Sequence, residues 1–170
     1  GEVTLTIRGV KTSAQKTFSI MPAQPEISFA EEYVSLNIGG YKYDKYTNTY
    51  PVFINYDKSE EVSASIRYED RFVDQSRLIA ISKSQRTIAS DDVDNAIHAE
   101  ERHILMPLFV RKNKDDKTSK EFYFLGTIKH NGHLQEFIMP DTDKSAVEIG
   151  YHLNTPVENN LYEYITERTI

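Results

Sequence analysis

Short runs in which apolar and polar residues alternate recur along the chain, separated by glycine, proline and asparagine. The clearest runs span residues 3–7, 34–38, 52–56, 78–81 and 147–153. Because successive side chains of a strand point to opposite faces of a sheet, each run predicts a strand with one buried face. Two further segments, after Ser90 and after Thr155, have the residue spacing of a helix. The pattern predicts a mainly β (α+β) fold, with a curled antiparallel sheet or partly open barrel and two short helices.

Both helices have a recognisable start. Ser90 is followed by two aspartates, so we expect it to be the N-cap of a short helix that ends near Ala99. Thr155 has proline next to it and Glu158 three residues later, which matches a capping box with proline in the first turn. We therefore predict a closing helix that begins at Thr155.

The most hydrophobic run, residues 104–110, predicts an interior strand. Pro107 cannot donate a hydrogen bond to a neighbouring strand, so it must lie at an edge or at a bulge. The hairpin partner of this strand is residues 122–128, which follow a long charged loop. We expect this pair to lie at the centre of the sheet.

Asn131–Gly132 has the composition of a type I′ turn, in which both central residues need a positive φ. We therefore expect a second hairpin, with His130 and His133 facing each other across it. Asp141 or Asp143 could complete a metal site there. The sequence gives no further ligand and no second shell, so we favour surface histidines and predict no metal and no cofactor.

The composition excludes several classes of protein. The chain has no cysteine, which rules out disulfides, thiolate zinc sites and cysteine nucleophiles. No apolar run is long enough to span a bilayer, so we expect a soluble, cytoplasmic protein with no membrane partner. No motif positions a nucleophile or a phosphate loop, and we predict no catalytic residue. The net charge of −6 opposes indiscriminate binding to nucleic acid, so any such site must be a local group of cations.

The prolines at positions 22 and 25 interrupt the alternating pattern, and the MPAQPE segment that contains them is the best candidate for a linker. We predict an N-terminal arm over residues 1–27, formed by an opening β-hairpin. We predict a barrel-like recognition domain over residues 28–170.

Basic residues are concentrated near three predicted turns. The candidate nucleic-acid-binding residues are Arg67, Arg71, Ser82, Lys83, Arg86 and Arg111. If the sheet folds as predicted, the turn over residues 82–87 and the long loop after Arg111 could converge on one end and form a rim that binds phosphate. The alternative is that these cations are solvated and neutralise nearby acids.

An aromatic and acidic cluster lies between the second and third predicted strands of this region. The candidate base-pocket residues are Tyr56, Tyr68, Asp70 and Phe72. A ring there could stack on a flipped base while a carboxylate reads the edge of the base. The alternative is that Asp70 is hydrogen-bonded to Arg71 or Tyr68 and serves only the fold.

The segments YPVFINY, SIRYEDRFVDQSRLIAISKSQRTIAS, MPLFVRKN, EFYFLG and NTPVENNLYEYI occur in this order within residues 41–166. This order resembles the bacterial domain of unknown function 3427, which is found at the C-terminus of superfamily II helicases, often behind a phospholipase-D-like nuclease. The resemblance implies a restriction or phage-defence protein. By analogy it also implies a PUA-like pseudo-barrel, similar to those that read modified or specific bases.

On that resemblance the residues carried over are Tyr68, Asp70 and Phe72 of YEDRF and Ser82, Lys83 and Arg86 of SKSQRT. We therefore expect a non-catalytic domain that recognises nucleic acid, possibly modified or specific DNA, and serves a helicase or a restriction or defence nuclease. The alternative is a protein-interaction domain that docks onto a helicase or nuclease core through exposed tyrosines.

Overall fold

The computed structural model describes residues 3–8, 15–20, 40–41, 43–56, 69–112, 122–140 and 142–167. Within these ranges the chain forms nine strands and two helices. The strands are β1 (Val3–Arg8), β2 (Gln15–Ile20), β3 (Gly40–Tyr41), β4 (Val52–Asn55), β5 (Arg71–Asp74), β6 (Arg77–Ile81), β7 (Pro107–Arg111), β8 (Phe122–Ile138) and β9 (Ser145–Leu153). The helices are α1 (Asp91–Ile97) and α2 (Asn159–Thr166). The prediction of a mainly β fold with two short helices is confirmed.

The long strand β8 joins the two halves of the sheet. Its first half pairs with β7 on one side and β2 on the other, and its second half pairs with β9. The strand order β3-β4-β7-β8-β9-β6-β5 curls into a half-barrel. Most pairs are antiparallel, as predicted, but β4 with β7 and β2 with β8 are parallel. The prediction of a purely antiparallel sheet is therefore wrong at these two pairs, which join strands distant in sequence.

The core fills the concave side of the curled sheet. Along β9 the alternating residues Val147, Ile149, Tyr151 and Leu153 are all buried, as their pattern predicts. Helix α1 buries Val93 and Ala96 and helix α2 buries Leu161 and Ile165 in the same cluster. Both helices are too short to be stable alone, so this burial is what holds them.

The strand β7 confirms the prediction for the hydrophobic run. It lies between β4 and β8, and Pro107 is its first residue, next to a register shift against β8. No helix in the described part of the chain is long and apolar enough to cross a membrane.

The opening hairpin is also confirmed, because β1 pairs antiparallel with β2. Strand β2 additionally pairs with the start of β8. The division of the chain at residue 27 stays a prediction. The proposed linker and the strand predicted over residues 34–38 lie outside the described residues.

The predicted turn at Asn131–Gly132 is wrong. Strand β8 continues through both residues, and its register against β9 shifts between His130 and Leu134, which marks a β-bulge. Gly132 has φ +97°, so the preference of glycine for positive φ serves a bulge here rather than a turn. The side chain of Asn131 is turned back to accept a hydrogen bond from the backbone N–H of His133 (3.0 Å).

The helix caps also differ from the prediction. Ser90 is at the N-cap of α1 as predicted, but its hydroxyl accepts a hydrogen bond from Thr87 N (2.9 Å) and makes no cap bond. Helix α2 begins at Asn159, not at Thr155. Its N-cap is Glu158, whose two carboxylate oxygens accept from the backbone N–H groups of Asn160 and Leu161 (3.1 Å each). Glu158 thus satisfies the free donors itself, in place of the predicted capping box.

Candidate functional site

The segment Ser82–Thr87, which we call the anchored turn, leads from β6 to α1 and is fixed to the start of β9. The backbone N–H of Ser82 donates to Val147 O (2.9 Å), and the backbone N–H of Val147 donates to the Ser82 hydroxyl (2.8 Å). Gln85 N donates to Ser145 O (2.7 Å), and Gln85 has φ +65°, an unfavourable conformation for a residue with a side chain. The backbone of the turn is therefore held in one shape by its neighbour strand.

The tip of the anchored turn is polar and open to solvent. Lys83, Ser84 and Gln85 are all exposed, and their side chains have no partner in the described part of the chain. Lys144 is also exposed and precedes Ser145, the residue that holds Gln85. Two lysines, a hydroxyl and an amide are thus presented on a rigid support.

The cation Arg86 of the same turn is used within the protein. Its Nε donates to Asp92 Oδ2 (2.7 Å), while Asp92 Oδ1 accepts from Val93 N (3.0 Å). The hydrogen bond to Asp92 raises the pKa of the Arg86 guanidinium, and the charge of Asp92 adds to this effect. Arg86 therefore ties the turn to the first turn of α1 and leaves phosphate binding to the lysines.

Arg71 is also paired with an acid, on the convex face of the sheet. Its Nη2 lies 2.8 Å from Glu148 Oε1, and His133 Nε2 lies 2.7 Å from Glu148 Oε2. Glu148 is only 7% exposed. Burial alone would raise the pKa of Glu148, but the hydrogen bonds from His133 and Arg71 outweigh it and the pKa is lowered. The carboxylate thus stays charged and joins β5, β8 and β9.

The structure brings four of the six candidate cation and hydroxyl residues to one end of the sheet and leaves one at the other end. Ser82 and Arg71 both contact β9, through the adjacent residues Val147 and Glu148, and Lys83 and Arg86 belong to the same turn. Arg111 lies beside Phe122 at the start of β8, whereas the anchored turn lies near the end of β8. Arg67 lies outside the described residues.

Arg111 itself is bound locally. Its guanidinium stacks 4.5 Å from the centre of the Phe122 ring, and its Nε donates to Asn55 Oδ1. The loop that follows lies outside the described residues from position 113 to 121. Whether this loop reaches the anchored turn stays a prediction.

The candidate base-pocket residues that the structure describes pack against each other. Phe72 is 8% exposed and stacks on Tyr56, with ring centres 5.6 Å apart. The Tyr56 hydroxyl accepts from Phe72 N (3.3 Å), and Phe72 also contacts the edge of Tyr162. Asp70 Oδ1 accepts from Ile81 N (2.7 Å) at the end of β6. These contacts serve the fold, which is the alternative named above, and Tyr68 lies outside the described residues.

The sequence analysis missed a small polar cavity under the anchored turn. It is lined by Tyr50, Ser82, Asp92, Val93, Ile149 and Tyr151. Its floor is the hydroxyl of Tyr151, a fully buried residue, and burial raises the pKa of this phenol well above its ordinary value. A tyrosine in the inward-facing stripe of β9 was the available signal, because a buried phenol needs a hydrogen-bond partner.

The two histidines beside the bulge are each fixed by a hydrogen bond. His130 Nδ1 lies 3.0 Å from Gly150 O, and His133 contacts Glu148 as described. Burial lowers the pKa of His130, so its neutral form is favoured. Among the described residues no three histidine, aspartate or glutamate side chains are grouped so that they could hold a metal ion.

The fold and this site together define a mainly β half-barrel domain that carries a rigid polar turn at one end of its sheet. A family model for a domain of unknown function (DUF3427) matches residues 25–165, and the chain belongs to that family. The family resemblance of the segments quoted above is therefore confirmed. The comparison with curated proteins found no match.

Proposed function

We propose that this domain is a non-catalytic recognition module for DNA, including DNA with modified bases, and that it serves a helicase or a restriction or defence nuclease. The observation that carries the proposal is the anchored turn, in which a fixed backbone presents Lys83, Ser84 and Gln85 to solvent. The helicase or nuclease context follows from the resemblance of the quoted segments to domains found in such proteins.

The chemistry of the tip suits a nucleic acid. A lysine ammonium binds phosphate as a point charge, and a serine hydroxyl donates to phosphate oxygens. A glutamine amide can donate to and accept from one base edge at the same time. Because the backbone of the turn is already ordered, binding loses little conformational entropy. The turn thus offers both phosphate contacts and one group able to read a base.

The charge of the protein makes the expected affinity modest and sensitive to salt. Arg71 and Arg86 are neutralised by Glu148 and Asp92, so Lys83 and Lys144 are the cations left near the tip. Two phosphate contacts give a slope of log affinity against log salt of roughly −1.8, which is about a tenfold loss between 50 and 200 mM salt. A much steeper slope would require cations beyond these two.

The experiment measures binding of labelled duplexes, with and without modified bases, by fluorescence anisotropy at low salt. Lys83→Ala should weaken binding and flatten the salt slope by about one contact. Lys129→Ala is the matched control. Lys129 pairs with His152, seven residues along β9 from Ser145 and so about 23 Å from the turn. Absence of binding to every duplex, or equal losses in the two variants, would contradict the proposal.

A second candidate function, docking onto a helicase or nuclease core, is favoured by exposed apolar side chains. Ile138 is 57% exposed and Ile88 is 41% exposed. They lie in one region, because Ile88 N donates to Glu136 on the same strand as Ile138 (3.0 Å). This function requires association with those domains that does not weaken with salt, which calorimetry at two salt concentrations would distinguish from DNA binding.

A further inference from the structure

The hydroxyl of Tyr151 is the one buried side-chain polar atom in the described part of the chain that has no hydrogen-bond partner in the protein. Tyr151 is fully buried on the inward face of β9. Buried polar groups are almost always hydrogen-bonded, and an unsatisfied hydroxyl would lower the folding equilibrium constant by a factor of roughly ten. Something other than the neighbouring side chains is expected to satisfy it.

The cavity at this hydroxyl has the size of one small molecule. It offers ≈ 10 Å³ to the centre of a water molecule, which is about the volume needed to hold a single water. A nucleotide base is far too large for this space. The occupant must therefore be water or a group of the same size.

The polar groups around the cavity have hydrogen-bonding capacity left. The Asp92 carboxylate accepts from Arg86 Nε and Val93 N, and a carboxylate has about four acceptor positions. The Ser82 hydroxyl donates to Lys83 O (3.0 Å) and accepts from Val147 N (2.8 Å), which leaves one lone pair. Tyr151 supplies a donor, so the cavity offers one donor and two acceptors.

We propose that this cavity is a binding site for one water molecule, which accepts from Tyr151 Oη and donates to the Asp92 carboxylate and the Ser82 hydroxyl. Three bonds is the usual number for a buried water. The water would join β9 to Ser82, the first residue of the anchored turn, and to Asp92, which holds Arg86. The inference stands independently of DNA binding, because it concerns the free protein.

The first test is a crystal structure of the wild-type domain at a resolution that shows ordered water. We expect density in the cavity within hydrogen-bonding distance of all three groups. The second test is Tyr151→Phe, which removes the donor and should raise the equilibrium constant of unfolding roughly fivefold to tenfold in denaturant titrations. Tyr162→Phe is the matched control, because that half-buried tyrosine has no hydroxyl partner among the described residues, and its stability should not change.

Two results would overturn the proposal. One is a crystal structure with a dry cavity. The other is a Tyr151→Phe protein that is as stable as wild type or more stable, since loss of an unsatisfied hydroxyl relieves its desolvation penalty. If Tyr151→Phe does not fold, the density in the wild-type cavity decides alone.

Discussion

Replacing Glu148 with glutamine should destabilise the protein measurably, because the carboxylate accepts from two donors at once. Arg71 binds one oxygen at 2.8 Å and His133 binds the other at 2.7 Å, and the Glu148 side chain is only 10% exposed. Glutamine keeps the shape but offers one acceptor, so its NH₂ group must face one of the two donors. At least one charge-assisted hydrogen bond is lost.

The expected loss for Glu148→Gln is about 2 kcal/mol, near the lower end for hydrogen bonds to a charged group. We take the lower end because the Arg71 and His133 side chains are 36% and 44% exposed, so water replaces part of what they lose. A loss of that size lowers the Tm of a domain this long by about 4–8 °C.

The effect should also depend on pH. The pKa of Glu148 is lowered from its ordinary value of 4.5, so its contribution to stability is fully present above that value and is lost as the pH falls through the folded-state pKa. The difference between wild type and Glu148→Gln should therefore be largest near neutral pH and shrink in acid. Burial opposes this shift, so the acid transition reports whether the two hydrogen bonds outweigh desolvation.

The assay is denaturant unfolding of both proteins at neutral pH and at several acidic values. Glu163→Gln, at an exposed position of α2, is the control for loss of one negative charge and should change stability little. The reasoning is refuted if Glu148→Gln is as stable as wild type at neutral pH, or if its deficit is unchanged in acid.

Two further substitutions test the corrected features of the fold. Glu158→Ala removes the N-cap of α2 and should cost about 1 kcal/mol in denaturant unfolding, whereas Thr155→Ala should cost far less; the reverse order would restore the predicted start of the helix. Gly150→Ala would place a Cβ 2.7 Å from the Cβ of His133 and against the Asn131 side chain, so it should destabilise by about 1–3 kcal/mol and shift the amide NMR signals of the bulge. A neutral Gly150→Ala would mean that the bulge adapts freely.

The strands were predictable where the deciding information is local. The alternation along β9 predicts Val147, Ile149 and Tyr151 on the buried face, and the structure confirms it. Asn131–Gly132 was misread because positive φ at glycine suits both a hairpin turn and a bulge, and the local sequence does not say whether the chain reverses. The choice was made by β9, which continues to pair on both sides of the bulge.

The contacts of the candidate site were less predictable, because they join residues far apart in sequence. Arg71 and Glu148 are separated by 77 positions, so no spacing rule could have shown that this cation is neutralised. The pairing of Arg86 with Asp92 spans only six positions and was within reach, because α1 begins between them. The open tip of the anchored turn follows from the same pairing, since it removes Arg86 and leaves Lys83 exposed.

One strand end fixes both the anchored turn and the buried ionic cluster. Val147 holds the turn through its backbone, while the next residue, Glu148, points to the other face and binds Arg71 and His133. A shift of β9 by one residue would bury a hydrophobic side chain's place with Glu148 and would detach Arg71 and His133. Such a shift leaves buried charge unpaired, so it is strongly disfavoured. The ionic cluster therefore selects the register that also places the anchored turn, which is why a group remote from DNA should still influence its recognition.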